Sequence, residues 1–551
     1  MPTVTLNKKV FEELVGKKLP LEQLKDRISM LGTDLEKIEG NEIVVEIFPN
    51  RPDMLCEQGF ARAFSSFIGI NTGLREYKVK KSGYKVIIDP SVTMRPYTAC
   101  AIVKNLTFTD ERIREIMQMQ EKLATTHGRN RKKSAYGIYP LSSINFPITY
   151  IAKDPSKIHF QPLGFNEKIC AKDVPELHPK GKAYAHLTQG WKKYPFFIDA
   201  KDNIMCMLPF TNSNDTGKVE TTTKDVFIEC SGTDLNNVEV ALNIIVSALA
   251  DIKGEIYSLD IIYQNNTITT PNFTPRKMKL DLKYINKILG LNLTQKEAQN
   301  LLEKMGYGVK DNQALIPSYR ADILHPIDLV EDIAIAYGYE KVPAQIPSIS
   351  TIGAEHPFEK WCHKVRDILI GLGSLEVKNY HLMTAEELNT KMNQNQLIIP
   401  LKNAIGDYNH LRNHLMPSIL KNLTENQHQE YPQILFEIGR IFQEDKKTET
   451  GIKETDHLAV MICHEKADFT EIRQILDTFF ASLGLTYQVK ECTNSSFIEG
   501  RVGNIILNNE KIGSIGEIHP QVLTNWNLFM PTVALELDLE KVFENINKPN
   551  I

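Results

Sequence analysis

The sequence predicts a multidomain α+β chain. A small helix/strand module occurs twice, a mixed α/β region separates the copies, and an antiparallel sheet with flanking helices follows. Three observations predict this. A length of 551 residues suggests roughly three to four domains. Val4 to Gly32 lies over Met278 to Gly306 without a gap. After Pro357, strand-like and amphipathic segments alternate at short spacing. The boundaries read as 1–77, 84–268, 270–345 and 355–551.

The first copy reads as strand, two helices, strand, the turn Asn50-Arg51-Pro52-Asp53 and a helix, with Asp53 placed as its N-cap. Leu6 meets Leu280, Phe11 meets Ile285, Gly16 meets Gly290, and Gly32 meets Gly306. Further on, Arg51 and Asp53 meet Arg320 and Asp322. Lys78 to Gly83 reads as a polar linker. In the region that follows, Tyr97 to Val103 reads as a strand, and Asp110 to Leu123 as a helix capped by Thr109. His127-Gly128-Arg129-Asn130-Arg131-Lys132-Lys133 is the strongest basic run. Arg129, Arg131, Lys132 and Lys133 are candidates for phosphate contact, or an ordinary solvated loop. Val226 to Cys230 is a strand, and Asp234 could cap the apolar helix after it.

The second copy holds the stretch around which the chain is organised. Pro317 to Asp322 reads as a short strand and turn. A helix then starts at Pro326, where the missing N–H costs nothing, and exits at Gly338. Leu329, Val330, Ile333, Ala336 and Tyr337 fall on one side; Asp328, Glu331 and Asp332 fall on the other, and Asp322 enters from the turn. Four converging carboxylates need a cation, either an Arg or Lys or a hard metal such as Mg²⁺. The alternative is that first-turn acids complement the helix dipole in water. The first copy has Gly59, Arg62 and Ala63 at these helix positions, so the module does not need the acids to fold.

In the last region, Glu359 to Leu372 and Asp468 to Leu483 read as helices. Gln433 to Phe442, His457 to Cys463, Arg501 to Leu507 and Thr532 to Leu537 read as strands. Hydrophobic content of 42% supports real cores, and a net charge of −4 confines any nucleic-acid contact to local patches. Eight cysteines form no CxxC pair, which predicts free thiols in a reducing cytoplasm. No apolar run reaches membrane length and no signal peptide is visible.

Four segments together carry a resemblance over nearly the whole chain: Asn50-Arg51-Pro52-Asp53, Glu229-Cys230-Ser231-Gly232-Thr233-Asp234, Arg320-Ala321-Asp322 through Tyr339, and Leu435-Phe436-Glu437-Ile438-Gly439. The sequence resembles phenylalanyl-tRNA synthetase β subunits of the archaeal or eukaryotic type. The resemblance implies an (αβ)₂ heterotetramer. Its α subunit carries the class II aminoacylation site, activates phenylalanine with ATP and charges tRNA. The last domain resembles that class II fold in degenerate form: it has no FRxE pattern and no Gly-rich run followed by Arg, so it would serve as a subunit scaffold with no aminoacylation residues of its own. Asp322, Asp328, Glu331 and Asp332 match the family's Mg²⁺ positions at a site shared with α, with Asp332 where relatives often carry Glu. The middle domain resembles the family's editing domain, which hydrolyses mischarged tyrosyl-tRNA. Cys206, Asn212, Glu229, Ser231 and Asp234 match its pocket, with Cys206 and Ser231 where Ser and Thr are expected. Two rival readings are a Mg²⁺-dependent phosphohydrolase built on the four acids and a non-enzymatic binding protein of synthetase ancestry.

Overall fold

The computed structural model describes residues 2–348 and 353–547. Met1, residues 349–352, and residues 548–551 of the last predicted domain lie outside the described residues. The chain forms two compact units, Met1–Ile346 and Pro347–Ile551.

In the first unit, the module begins with β1 (Thr3–Asn7), α1 (Lys8–Val15), α2 (Leu21–Met30), β2 (Asp34–Glu39), β3 (Glu42–Glu46) and α3 (Glu57–Phe67). Asn7 caps α1 by accepting from the Lys9 and Val10 N–H groups, and Gly16, at φ 80°, ends it. The single strand expected after the two helices is a hairpin, so the sheet order is β1-β3-β2. Cys56, not Asp53, occupies the N-cap of α3. Asp53 is instead drawn into a bidentate pair with Arg51, 2.8 and 2.9 Å. Gly59 in α3 cannot carry a side chain, because a Cβ would collide with the Asp53 carbonyl oxygen.

The middle region comprises β4 (Val79–Ile88), β5 (Tyr97–Lys104), α4 (Asp110–Thr125), β6 (Ser134–Pro140), β7 (Ile148–Lys153), β8 (Tyr194–Ile198), β9 (Ile204–Met207), β10 (Thr211–Asn212), β11 (Val226–Gly232), α5 (Leu235–Asp251), β12 (Glu255–Ile262) and β13 (Thr267–Thr270). The expected linker at Lys78–Gly83 is largely β4, because Val79 to Lys81 already pair with β12. The ten strands run β10-β9-β8-β7-β4-β12-β5-β11-β6, with β13 beside β12. The sheet curls until its two ends meet: the Tyr139 hydroxyl of β6 donates to Asn212 Oδ1 of β10 at 3.1 Å.

The second copy repeats the first: β14 (Arg276–Lys279), α6 (Leu282–Leu289), α7 (Gln295–Lys304), β15 (Gly308–Lys310), β16 (Gln313–Ile316) and α8 (Pro326–Tyr337), with sheet order β14-β16-β15. One apolar core runs through both copies and the outer face of α5, joining Phe60 and Phe64, Ile244 and Ile245, and Ile333. The middle region adds cores of its own, one around Tyr150 and Phe197 and another around Phe160 and Phe196.

The second unit is a seven-stranded sheet in the order Leu375–Glu376, Gln433–Glu444, Ile452–Cys463, Thr532–Asp538, Glu510–Ile518, Phe497–Leu507, Gln488–Glu491. All pairs are antiparallel except the first. Pro357–Gly371, Phe469–Ser482 and Leu539–Asn547 cover one face, with Trp361, Val365 and Phe479 packed beneath them. Met416–Glu425 and Pro520–Asn525 cover the other, with Ile419, Leu420, Val522 and Trp526. Both faces of the sheet are thus filled by apolar side chains.

Candidate functional site

Pro326 starts α8 and Gly338 ends it, as its sequence dictates. Its acids do not converge. Arg320, 1% exposed, forks onto Asp322 through Nε and Nη2 at 2.8 and 2.7 Å, and Nη2 also donates to Asp332 at 2.8 Å. Burial opposes the charge on Arg320. The carboxylates of Asp332 and Asp322 and the Tyr307 hydroxyl outweigh it and hold the guanidinium firmly protonated. The Tyr307 hydroxyl donates to Asp332 as well. Asp328 caps the helix, accepting from the Leu324 and His325 N–H groups at 2.7 Å each. Glu331 is exposed and accepts from the Tyr339 hydroxyl at 3.0 Å. Among the described residues no three His, Cys, Asp or Glu side chains meet as metal donors. The four carboxylates Asp322, Asp328, Glu331 and Asp332 have these partners in the structure: a buried arginine takes two of them, backbone amides a third, and the Tyr339 hydroxyl the last. In the first copy the helix position of Glu331 is Arg62, which donates to Asp251 at 2.6 Å and stacks on the Tyr319 ring at 4.2 Å.

The second candidate lies inside the curled sheet. Along β11, Val226, Ile228 and Cys230 face the core beneath α5, while Phe227 faces the inside of the curl. The period of two sends Glu229 and Ser231 inward with Phe227. Glu229 is wholly buried, and Oε1 lies 3.3 Å from the Tyr139 hydroxyl. Its Oε2, the Ser231 Oγ and Arg95 Nε have no hydrogen-bond partner among the described residues. Burial pushes the Glu229 carboxyl up to about 8, with Ser231, Tyr139 and Arg95 opposing the rise. At neutral pH it is therefore protonated. Because the single Tyr139 proton goes to Asn212, the carboxyl proton can fill the 3.3 Å contact. Gly137 on the facing strand leaves the room: a Cβ there would lie 2.7 Å from Glu229 Oε1. Cys206 sits opposite Asn212 in the β9–β10 register, and burial, then the Glu229 charge, push its thiol up, so it is no nucleophile.

Cys206, Asn212, Glu229 and Ser231 thus share one environment. Asp234 does not join them; it is exposed and accepts from the Asn237 N–H at 2.8 Å as the cap of α5. Tyr139 and Arg95 complete the cluster without any signal in the sequence, since only the closure of the sheet brings them there.

The basic loop turns through three successive left-handed residues, Arg129, Asn130 and Arg131, at φ 49°, 52° and 61°. Arg131 braces the loop: it donates to the Pro209 and Phe210 carbonyls at 3.0 and 2.8 Å and to Glu121 at 3.0 Å. Arg129 and Lys132 point to solvent and Lys133 is half-buried. In the second unit, Glu437 of the Phe436-Glu437-Ile438-Gly439 segment is fully buried against Arg412 at 2.8 Å, and Asn379 donates to it at 2.8 Å. No helix among the described residues is long and apolar enough to cross a membrane.

Comparison with known proteins agrees with this architecture. Residues 278–339 match the tRNA synthetase B5 domain, and residues 342–539 match the phenylalanyl tRNA synthetase beta chain CLM domain. The chain is 37% identical over 556 residues to the phenylalanine–tRNA ligase beta subunit of Pyrococcus abyssi, covering 99% of this chain and all of that one. It is 38% identical over 554 residues to that of Archaeoglobus fulgidus, with 99% of each covered. A crystal structure of an N-terminal fragment of the Pyrococcus horikoshii phenylalanyl-tRNA synthetase beta subunit superimposes with a TM-score of 0.58 at 36% identity. The match covers 61% of this chain and 99% of the fragment. With two domain models and full-length relatives in agreement, the chain belongs to the family of phenylalanine–tRNA ligase β subunits.

Proposed function

We propose that this chain works with an α subunit to attach phenylalanine to tRNA, and that its first unit hydrolyses tyrosyl-tRNA made in error. As a member of its family the chain is an aminoacyl-tRNA ligase subunit. In this reading ATP and phenylalanine bind the α subunit, and the assembly is an (αβ)₂ heterotetramer in the cytoplasm. The second unit supports a scaffold role, because both faces of its sheet are packed and Glu437 is locked by Arg412.

The observation that carries the hydrolytic reading is the set of three buried polar atoms left open in one place: Glu229 Oε2, Ser231 Oγ and Arg95 Nε. Such groups cost free energy unless a ligand fills them. A phenol hydroxyl, which donates and accepts, suits a neutral carboxyl beside a serine hydroxyl. A phenylalanyl ester would leave them unpaired, and a site built to bind a hydroxyl rejects its absence by about 10⁴–10⁵-fold. The opposite problem faces the charging site, since an apolar pocket rejects an added hydroxyl by only about 10²-fold. In the reaction water adds to the ester carbonyl, the acyl C–O bond breaks, and the ribose oxygen leaves with a proton. The protein supplies recognition and position, as the Cys206 thiol is unactivated. Glu229→Ala in the co-purified complex should abolish tyrosyl-tRNA deacylation and spare phenylalanine charging; deacylation at the full rate would remove this carboxyl from the reaction.

Mg²⁺ enters this reading on the outer face of α8. Asp328 and Glu331 stand three residues apart on one helix face, and Mg²⁺ commonly takes one or two carboxylates and keeps its waters. Asp328 Oδ1 lies outside the capping bonds, whereas Asp322 and Asp332 are committed to Arg320. Bound there, the ion would neutralise charge at a subunit contact. Leu324 (78% exposed), Ile327 and Tyr339 supply an apolar surface around the pair. Arg129, Lys132 and Lys133 are the side chains of the basic loop left for tRNA phosphates.

A further inference from the structure

A small cavity lies between the two copies of the module. Arg51, Asp53, Arg62 and Arg75 of the first copy and Tyr319 and Arg320 of the second line it. Its volume of about 10 Å³ is the room that one water-sized guest needs. We propose that this guest is a monatomic anion, chloride under ordinary conditions, held by the guanidiniums of Arg62 and Arg320.

The open hydrogen-bonding groups are the first argument. Arg62 Nη1 donates to the Tyr77 hydroxyl at 2.9 Å and to Asp251 at 2.6 Å, and its side chain is only 6% exposed. Arg320 uses Nε and Nη2 on Asp322 and Asp332. What remains is Arg62 Nη2 and Arg320 Nη1, both buried and both without a partner among the described residues. No buried side-chain oxygen of the lining is left open in the same way. Buried donors cost free energy until something accepts from them. A water could accept from both, but its own two protons would then need acceptors, and the Asp53 oxygens already serve Arg51. A halide only accepts, which matches a site whose open groups are donors.

Charge is the second argument. The walls carry four guanidiniums and one carboxylate. Asp251, Asp322 and Asp332 meet their arginines from outside the lining. Arg75 is half-buried and makes no ion pair among the described residues. Burial, and then the Arg320 charge, oppose the charge on Arg51; Asp53 and Asp322 outweigh them. The repulsion is a product of the duplication, since Arg51 and Arg320 are equivalent residues of the two copies brought to one cavity. An anion between the copies relieves it.

The site belongs to neither copy alone. Arg62 comes from α3 and Arg320 from the turn before α8. Beside them the Gly73 N–H and the Ser66 hydroxyl both donate to the Glu303 carbonyl, at 2.7 and 3.1 Å, and join the copies along the cavity wall. Occupancy should therefore be read in the stability of the first unit.

The test is urea unfolding of the full chain, with chloride replacing gluconate at fixed ionic strength. A ligand bound only by the native state lowers the unfolding constant by 1 + [L]/Kd, so about 0.2 M chloride at a Kd of about 20 mM lowers it about tenfold. Arg62→Lys keeps a cation beside Asp251 and removes the second terminal nitrogen. It should reduce the chloride effect to less than about twofold. Crystals of the full chain soaked in bromide should show anomalous density between Arg62 and Arg320, a readout that stands even where Arg62→Lys does not fold. No chloride effect on the wild type and no bromide in the cavity would mean that water fills it, and would overturn the site. An equal chloride effect in the wild type and Arg62→Lys, with no bromide in the cavity, would place the anion elsewhere and overturn it too.

Discussion

Replacing Glu229 by glutamine should remove a pH dependence from the stability of the first unit. The carboxyl is wholly buried and its pKa rises from 4.5 to about 8 on folding. Between those values the native state holds a proton that the unfolded chain has lost. The stability this proton confers is fully present below about 4.5 and is lost as pH rises through about 8. The loss is about a tenfold change in the unfolding constant per pH unit, on the order of 4–5 kcal/mol across the window. Glutamine is the neutral shape of the protonated acid and can still donate to Tyr139. The assay is urea unfolding of the wild type and Glu229→Gln at half-unit steps from pH 5 to 9. The variant should gain on the wild type steadily up to about pH 8 and then run parallel. Parallel curves over the whole range would mean that Glu229 is ionised in the folded protein, and the neutral-carboxyl account of tyrosine recognition would fail with it.

Three further outcomes follow from the same physical reasoning. Arg320→Met leaves Asp322 and Asp332 without their cation and should cost about 3–5 kcal/mol in urea unfolding; a loss under 1 kcal/mol would show that the arginine does not neutralise them. Gly59→Ala forces a Cβ onto the Asp53 carbonyl and should cost about 1–3 kcal/mol, read as a lower melting temperature; an unchanged melt would mean that α3 and the turn before it do not approach as described. Glu331→Ala, at an exposed position, should change the stability of the isolated chain by less than about 0.5 kcal/mol. In the complex it should lower bound Mg²⁺ and promote dissociation from the α subunit in gel filtration, and intact metal content with intact assembly would exclude Glu331 from that contact.

Local features of the chain were legible because their causes are local. Thr109 and Asp234 cap helices, Pro326 and Gly338 bracket α8, and the alternation through Phe227, Glu229 and Ser231 fixes which side chains enter the sheet. The duplication was legible because Gly16 and Gly290 both end a first helix in the left-handed region. A cation among the acids was also foreseeable, but sequence could not choose between a metal and Arg320. For Asp322 and Asp332 the partner follows from packing: Arg320 is threaded beneath α8, where Tyr307 and these two carboxylates surround it. The same holds for Asp234, whose spacing from Glu229 suits a pocket as well as a cap. Long-range closure was invisible. Nothing in Ser134–Pro140 announces that Tyr139 meets Asn212, or that Arg131 leaves a basic run to brace Pro209 and Phe210. Polar residues also misled at Lys78–Gly83, where β4 pairs through its backbone while its side chains stay largely in water.

The central claim is that this chain takes part in phenylalanine charging without an aminoacylation site of its own. Phenylalanine-dependent ATP–pyrophosphate exchange tests it most directly, with the chain alone and with the co-expressed α subunit. Exchange from a complex containing both chains, and none from this chain alone, is the predicted result. Exchange by this chain alone would contradict the account, because it would require an ATP site on a sheet whose two faces are filled.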